Sequence, residues 1–214
     1  ITNNIDNSFQ NNSLQLSKEM KEVLEYQNKD LIIAIAPPFS WNLYNLNKKS
    51  RNYWEPILIK NWPTWKKYFI KEKYYNAFIT RPYFDFTSEF RTINSKKIFN
   101  KFKRLWKNKN ILIVEGTYSR FGVNDDLLAS SKSVRRIIGP SENAFEKVDN
   151  IEDKIREYVK KQHVDLILFS LGQTATILVY RLMDLNIQLI DIGHLDIEYN
   201  WYLKKARKKA NIEG

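Results

Sequence analysis

The spacing of apolar side chains changes character midway along this chain. In the first half, Leu14, Leu16, Met20, Val23 and Leu24 recur at near-helical intervals. They predict an amphipathic helix over residues 13–27, with Ser13 as its N-cap. The preceding stretch is Asn-rich and aperiodic and reads as a loop. Residues 31–36 are a continuous apolar run halted by Pro37-Pro38, the pattern of a buried strand. Residues 39–73 hold Trp41, Trp54, Trp62 and Trp65 and read as short helices broken at Pro56 and Pro63. A strand over 75–80 follows, then a helix over 87–106 with a strongly basic outer face.

Beyond Lys109 the pattern becomes regular. Strands are predicted over 111–115, 134–138, 165–171 and 187–192, and helices over 125–131, 150–162 and 174–185. A tail helix is predicted over 199–210, with cations in its last turns. Strands alternating with helices imply an α/β fold, a mostly parallel sheet with helices on both faces. No repeat or linker divides the chain, so one domain over 1–214 is the simplest organisation.

Composition adds bounds to this picture. The chain has 214 residues, 43 % hydrophobic and 14 % aromatic, ample for a packed core and unlike a disordered segment. No run of 18 apolar residues is present, so no transmembrane segment is expected. No secretory leader is visible, which points to a cytoplasmic protein, including one at the inner face of the membrane. The chain opens on Ile1 rather than Met, as a fragment or processed product would. Without cysteine it has neither disulfides nor thiolate metal sites. The net charge of +11 favours anionic partners, and much of it lies in residues 48–51, 96–109 and 204–209. No helix-turn-helix, zinc finger or aromatic RNA-binding motif accompanies it, so no specific nucleic-acid partner is expected.

Three strand ends carry polar clusters. The first is Val-Glu-Gly-Thr-Tyr-Ser-Arg-Phe-Gly-Val-Asn-Asp-Asp, from Val114 to Asp126. Glu115 closes a strand, Gly116 and Gly122 permit tight turns or close ligand approach, and Arg120 suits a bidentate phosphate contact. The second is Leu-Gly-Gln-Thr-Ala-Thr, from Leu171 to Thr176, a strand end, glycine turn and helix start. Free amides at a helix N-terminus bind anions, and Thr174 is either part of such a site or simply an N-cap. The third holds Asp191, His194, Asp196 and Glu198, expected at or just past a strand end. Asp-x-Glu there is either an acidic loop or a pair of hard oxygen ligands for Mn²⁺ or Mg²⁺. Parallel strands bring all three clusters to one edge, where a phosphate-bearing ligand is expected. Serine-hydrolase chemistry lacks its G-x-S-x-G elbow, and zinc would have only His163 and His194.

Four ordered blocks carry a resemblance. They are Ile-Val-Glu-Gly-Thr-Tyr-Ser-Arg-Phe-Gly-Val, Arg-Ile-Ile-Gly-Pro-Ser-Glu-Asn-Ala-Phe, Leu-Gly-Gln-Thr-Ala-Thr-Ile-Leu-Val-Tyr and Asp-Ile-Gly-His-Leu-Asp-Ile-Glu-Tyr, with Thr80-Arg81-Pro82-Tyr83 as a weaker fifth. From Leu14 to Trp201 the chain resembles the bacterial GT-D glycosyltransferases that build glycans on serine-rich-repeat adhesins. The resemblance implies a Rossmann-like fold, a nucleotide-sugar donor (typically a UDP-hexose), a saccharide or glycoprotein acceptor, and divalent-cation assistance by Mn or Mg. It also allows other glycosyltransferases as partners. On this reading Arg81, Glu115, Gly116, Ser119, Arg120, Gly122, Gly172 and Thr174 serve the donor phosphates. His194 is a base or acceptor-positioning group, Asp196 and Glu198 are metal or sugar ligands, and Trp201 or Tyr83 stack on sugar or belong to the core. Two departures stand out. The family's Arg-Phe-Gly-Asp-Gly-Glu stretch would precede Ile1, and Asn200 occupies a usual Glu position that would be catalytic. An active hexosyltransferase and a silent glycan-binding or partner module are therefore both compatible with the resemblance.

Overall fold

The computed structural model describes residues 10–11, 13–40, 42–69 and 74–207. Trp41, residues 70–73 and the end of the expected tail helix lie outside the described residues, as does most of the expected N-terminal loop.

The first helix, α1 (Leu14–Glu25), starts where Ser13 Oγ accepts the amide of Leu16 at 2.9 Å. The apolar run after it yields only a two-residue strand, β1 (Ala34–Ile35), because Pro37 and Pro38 open a 3₁₀ turn. Likewise the strand expected over 75–80 is β2 (Tyr75–Asn76) followed by a 3₁₀ turn over Ala77–Thr80, nucleated by the Asn76 side chain accepting from Phe78 N. β1 and β2 pair in parallel as a separate small sheet. Between them runs α2 (Lys48–Trp65), one continuous helix with Pro56 and Pro63 inside it, not the broken helices expected. The carbonyls these prolines leave unbonded belong to Asn52 and Ile59, both exposed, so water can satisfy them. Leu46, Phe78 and Phe86 form the core beneath this layer, with Trp54 and Phe90 against them.

The second half is built on a four-stranded parallel sheet in the order β4-β3-β5-β6. Its strands are β3 (Asn110–Gly116), β4 (Ser133–Gly139), β5 (Leu166–Ser170) and β6 (Gln188–Asp191). The helices are α3 (Ser88–Leu105), α4 (Val148–Lys161), α5 (Gln173–Arg181) and α6 (Leu195–Leu203). Alternation along the central strands sorts the core into two layers. Leu112, Val114, Ile167 and Phe169 pack with α1, α4 and α5. Ile111, Ile113, Leu166 and Leu168 pack with α3, α6 and Phe121, Leu127 and Leu128 of the β3–β4 connection. The fold is thus α/β, with helices on both faces of a parallel sheet.

Two corrections bear on the site. Residues 125–131 are turns, not a helix, held by Asp125 accepting from Leu127 N and by Trp106 Nε1 donating to Leu127 O. The last helix begins at Leu195 rather than Tyr199, so Asp196 and Glu198 belong to its first turn instead of a loop.

Candidate active site

The chain enters the large sheet at β3, adds β4 on one side, then crosses over β3 through α4 to add β5 and β6 on the other. The connections after β3 and β5 therefore diverge, leaving a crevice between their C-terminal ends, where open α/β sheets take their ligands.

On the β5 side, Ser170 is followed by Gly172 at φ 55, ψ −137, a conformation that only glycine adopts without strain. This sharp turn starts α5 at Gln173 and leaves its first amides directed at the crevice, with no side-chain cap. Thr174, one residue into the helix, is fully buried. Its hydroxyl has no hydrogen-bond partner among the described residues. Thr174 therefore is not the N-cap; Gly172 holds that position.

On the β3 side, Glu115 is buried and fully engaged. It accepts Ser119 Oγ at 2.7 Å and Phe121 N at 3.0 Å, and pairs with Arg136 from β4. Arg136 also donates to Phe121 O at 2.7 Å. Glu115 and Ser119 thus shape the loop after β3. Gly116 packs its bare Cα against Pro140 and Ser141, where a Cβ would stand 3.1 Å from the Pro140 carbonyl. Gly122, at φ 68, lets the chain fold over Leu128. Arg120 is exposed on this loop.

The third wall comes from β6 and α6. Asp191 accepts Thr176 Oγ1 at 2.7 Å and Gly193 N at 3.0 Å, and burial raises its pKa. A Cβ on Gly193 would lie 3.2 Å from Thr80 Oγ1, which brings the Thr80-Arg81 segment to the crevice rim. Arg81 Nε lies 3.2 Å from Asp85, itself bonded by Ser50 Oγ at 3.1 Å. His194 is exposed at the N-cap of α6.

Asp196 and Glu198 point apart. Two residues along a helix are separated by about 200°. Asp196 Oδ1 accepts Gly122 N at 2.8 Å, locking α6 to the loop after β3. Glu198 Oε2, on the other side, accepts the amides of Tyr83 and Phe84 at 2.8 and 2.9 Å. The two carboxylates are thus engaged separately, by backbone amides on opposite sides of α6. Among the described residues no group of three or more His, Asp or Glu could hold a metal ion. Burial pushes the Asp196 pKa up to about 6. The charges of Asp125 and Glu115 add to this, whereas the Gly122 amide and Arg136 oppose it.

Asn200 turns toward the same loop, donating to Asp196 O at 3.2 Å and standing 3.4 Å from Asp125 Oδ2. Burial also raises the Asp125 pKa. Tyr199 donates to Asp126, which is also 2.7 Å from Lys103. Tyr83 and Trp201 are core, packed with Phe84. Arg136 opens the second of the resemblance blocks, but its role as the partner of Glu115 appears only in the structure.

This arrangement defines a Rossmann-like α/β protein with a crevice at its topological switch point. A family profile described as glycosyltransferase GT-D fold matches residues 1–214, and the chain belongs to that family. It is 34% identical over 205 residues to a probable glycosyl transferase Gly of Streptococcus gordonii, covering 95% of this chain and 29% of that protein. It is 30% identical over 204 residues to glycosyltransferase GlyD of Streptococcus pneumoniae serotype 4, covering 95% of this chain and 24% of that protein. The chain thus spans under a third of the length of these relatives. A solved structure of the conserved domain of unknown function 1792, described as having a distinct glycosyltransferase fold, superposes with TM-score 0.87. That match is at 34% identity, over 95% of this chain and 72% of the other. A Streptococcus sanguinis structure described as a new glycosyltransferase gives TM-score 0.87 at 33% identity, over 95% of this chain and 74% of the other.

Proposed function

We propose that the chain is the catalytic domain of a glycosyltransferase that moves a hexose from a nucleotide-sugar, most simply a UDP-hexose, to a saccharide acceptor on a glycoprotein or surface glycan. The observation that carries this reading is the α5 N-terminus, opened by Gly172 and holding an unpartnered buried hydroxyl at Thr174. A diphosphate supplies the acceptors these donors lack. In glycosyl transfer the bond from the anomeric carbon to the diphosphate breaks and negative charge grows on the leaving oxygen. The α5 amides and Thr174 stabilise it, with Arg81 and Arg120 supplying positive charge from the rim. His194, exposed beside the crevice, takes the acceptor proton or orients the acceptor. A divalent cation would neutralise further charge, with Asp196 and Glu198 as separate candidates for metal or sugar contact.

Asn200, standing where the family usually has Glu, supports a second reading, a silent member that binds donor or glycan without turnover. Calorimetric titration with UDP, GDP and ADP, followed by UDP-hexose hydrolysis, separates the two. Binding with hydrolysis supports the enzyme, and binding without it supports the silent module. Binding of none of the three nucleotides removes the donor site.

A further inference from the structure

Some cations of this protein are matched by carboxylates. Lys18 pairs with Glu22, Lys21 with Glu25, Lys161 with Glu157, and Arg156 and Arg181 with acids on α1 and α4 or near them. Others gather on one side of α3. Lys96, Lys97, Lys101 and Arg104 of α3 and Lys107 just beyond it are all exposed, and none lies within ion-pair distance of a carboxylate among the described residues, whereas Lys103 pairs with Asp126. At 3.6 residues per turn they fall on one stripe, opposite the buried side formed by Ser95, Phe99 and Phe102. Ile93, 58% exposed, sits on the same stripe. α3 spans 18 residues, about 27 Å of straight helix. Lys204, Lys205 and Arg207 follow α6 near the start of α3, where Tyr83 touches both: Arg91 lies over its ring at 5.3 Å and its hydroxyl donates to Ala206 O at 3.3 Å.

From this juxtaposition we infer that the outer face of α3 docks the protein onto an anionic phospholipid surface. Four exposed cations on one helix face, with Lys107 just beyond its end, repel each other, a cost that a polyanion offsets. A bilayer rich in anionic headgroups matches a long, straight, convex, lysine-dominated face, since lysine acts as a point charge and needs no bidentate geometry. The apolar Ile93 among the lysines suits the headgroup boundary. Single-stranded nucleic acid would need exposed aromatic platforms. The aromatics of α3 give it none: Phe99 and Phe102 are buried, and Phe90 stacks on Phe86 at 4.2 Å. None of its residues has a role in the chemistry assigned to the crevice.

The test is co-sedimentation of the intact chain with vesicles of phosphatidylcholine alone and of phosphatidylcholine with 30 mole per cent (roughly a third) phosphatidylglycerol, at about 0.1 M salt. Binding to the anionic vesicles at least ten-fold (on the order of one decade) above the neutral ones is expected, falling as salt rises. The variant Lys96→Glu/Lys97→Glu/Lys101→Glu/Arg104→Glu should lose that binding while keeping its melting temperature and UDP affinity. Since those side chains are solvent-exposed, folding should survive. Lys96→Gln/Lys97→Gln/Lys101→Gln gives a milder check with no new charge. Equal sedimentation with both vesicles, equal binding by the variants, or tighter α3-dependent binding to duplex DNA than to the anionic vesicles would each overturn the inference.

Discussion

Glu198 accepts the backbone amide of Tyr83 at 2.8 Å, joining α6 to a segment 115 residues upstream. The same oxygen takes the Phe84 amide, so one buried carboxylate fixes the chain between Arg81 and the start of α3. The resemblance would make this acid a ligand, but its geometry makes it a clamp.

Glu198→Ala should therefore act on stability. Each buried amide left unsatisfied costs about 1–3 kcal/mol. The loss should appear as a lower urea midpoint. Glu198→Gln, which retains an acceptor oxygen, should recover much of it. A midpoint unchanged in Glu198→Ala would show that water reaches these amides.

Thr174→Val should separate the ligand from the fold. The hydroxyl has no partner, so its removal costs the free protein little, and burying a methyl in its place can stabilise. UDP affinity should fall roughly 3- to 10-fold, the worth of one hydrogen bond of about 0.5–1.5 kcal/mol. Calorimetry and thermal melting read the two effects separately. Weaker folding with unaltered UDP binding would return Thr174 to a structural role.

Arg120 of the first cluster and Arg136 of β4 should behave oppositely. Arg136→Ala strands the buried Glu115 carboxylate, a loss of about 3–5 kcal/mol when a buried pair is broken. Arg120→Ala, at an exposed position, should leave the melting temperature within a degree or so and weaken UDP binding by on the order of 10-fold. Paired melts and titrations of both variants check this.

Asp196 gives stability a pH dependence. Its folded pKa is about 6, against an ordinary 3.8 for aspartate, so the native state holds the proton more tightly than the unfolded chain between those values. Unfolding free energy contributed by this group thus falls as pH rises through that window. Asp196→Asn keeps an acceptor for Gly122 N and removes the titration. Relative to wild type it should gain about 1–3 kcal/mol on going from pH 4 to pH 7. Urea melts at both values read the difference; a constant offset would mean that Asp196 titrates normally.

Much of this architecture was legible from periodicity. The four strands of the large sheet and the helices between them stood out because both faces of β3 and β5 are buried, which makes continuous apolar runs. Short elements were not legible. The runs at residues 31–36 and 75–80 are apolar because they pack, yet prolines and an Asn76 turn leave two paired residues each. α2 was misread because its prolines disturb only carbonyls already open to water. At the site, the clusters were found but roles were not. Asp196 and Glu198 look alike in sequence, and only helical phase sends one to Gly122 and the other to Tyr83. Asp125 and Arg136 gain their meaning from partners 75 and 21 residues away, distances that local pattern cannot span.

The strand order has a consequence for the nascent chain. β3, the central strand, has β5 as one of its two neighbours, and the pairing of Asn110 with Asp165 closes a span of 55 residues. Until translation has delivered β5 clear of the ribosome, β3 has one open edge and half of its apolar face uncovered. Upstream, α1 likewise waits for a partner that has not yet been made, because it packs chiefly on α5. Folding of the central layer is thus a late, concerted event, and the newly made first half, rich in tryptophan and lysine, is the stretch that chaperones would meet.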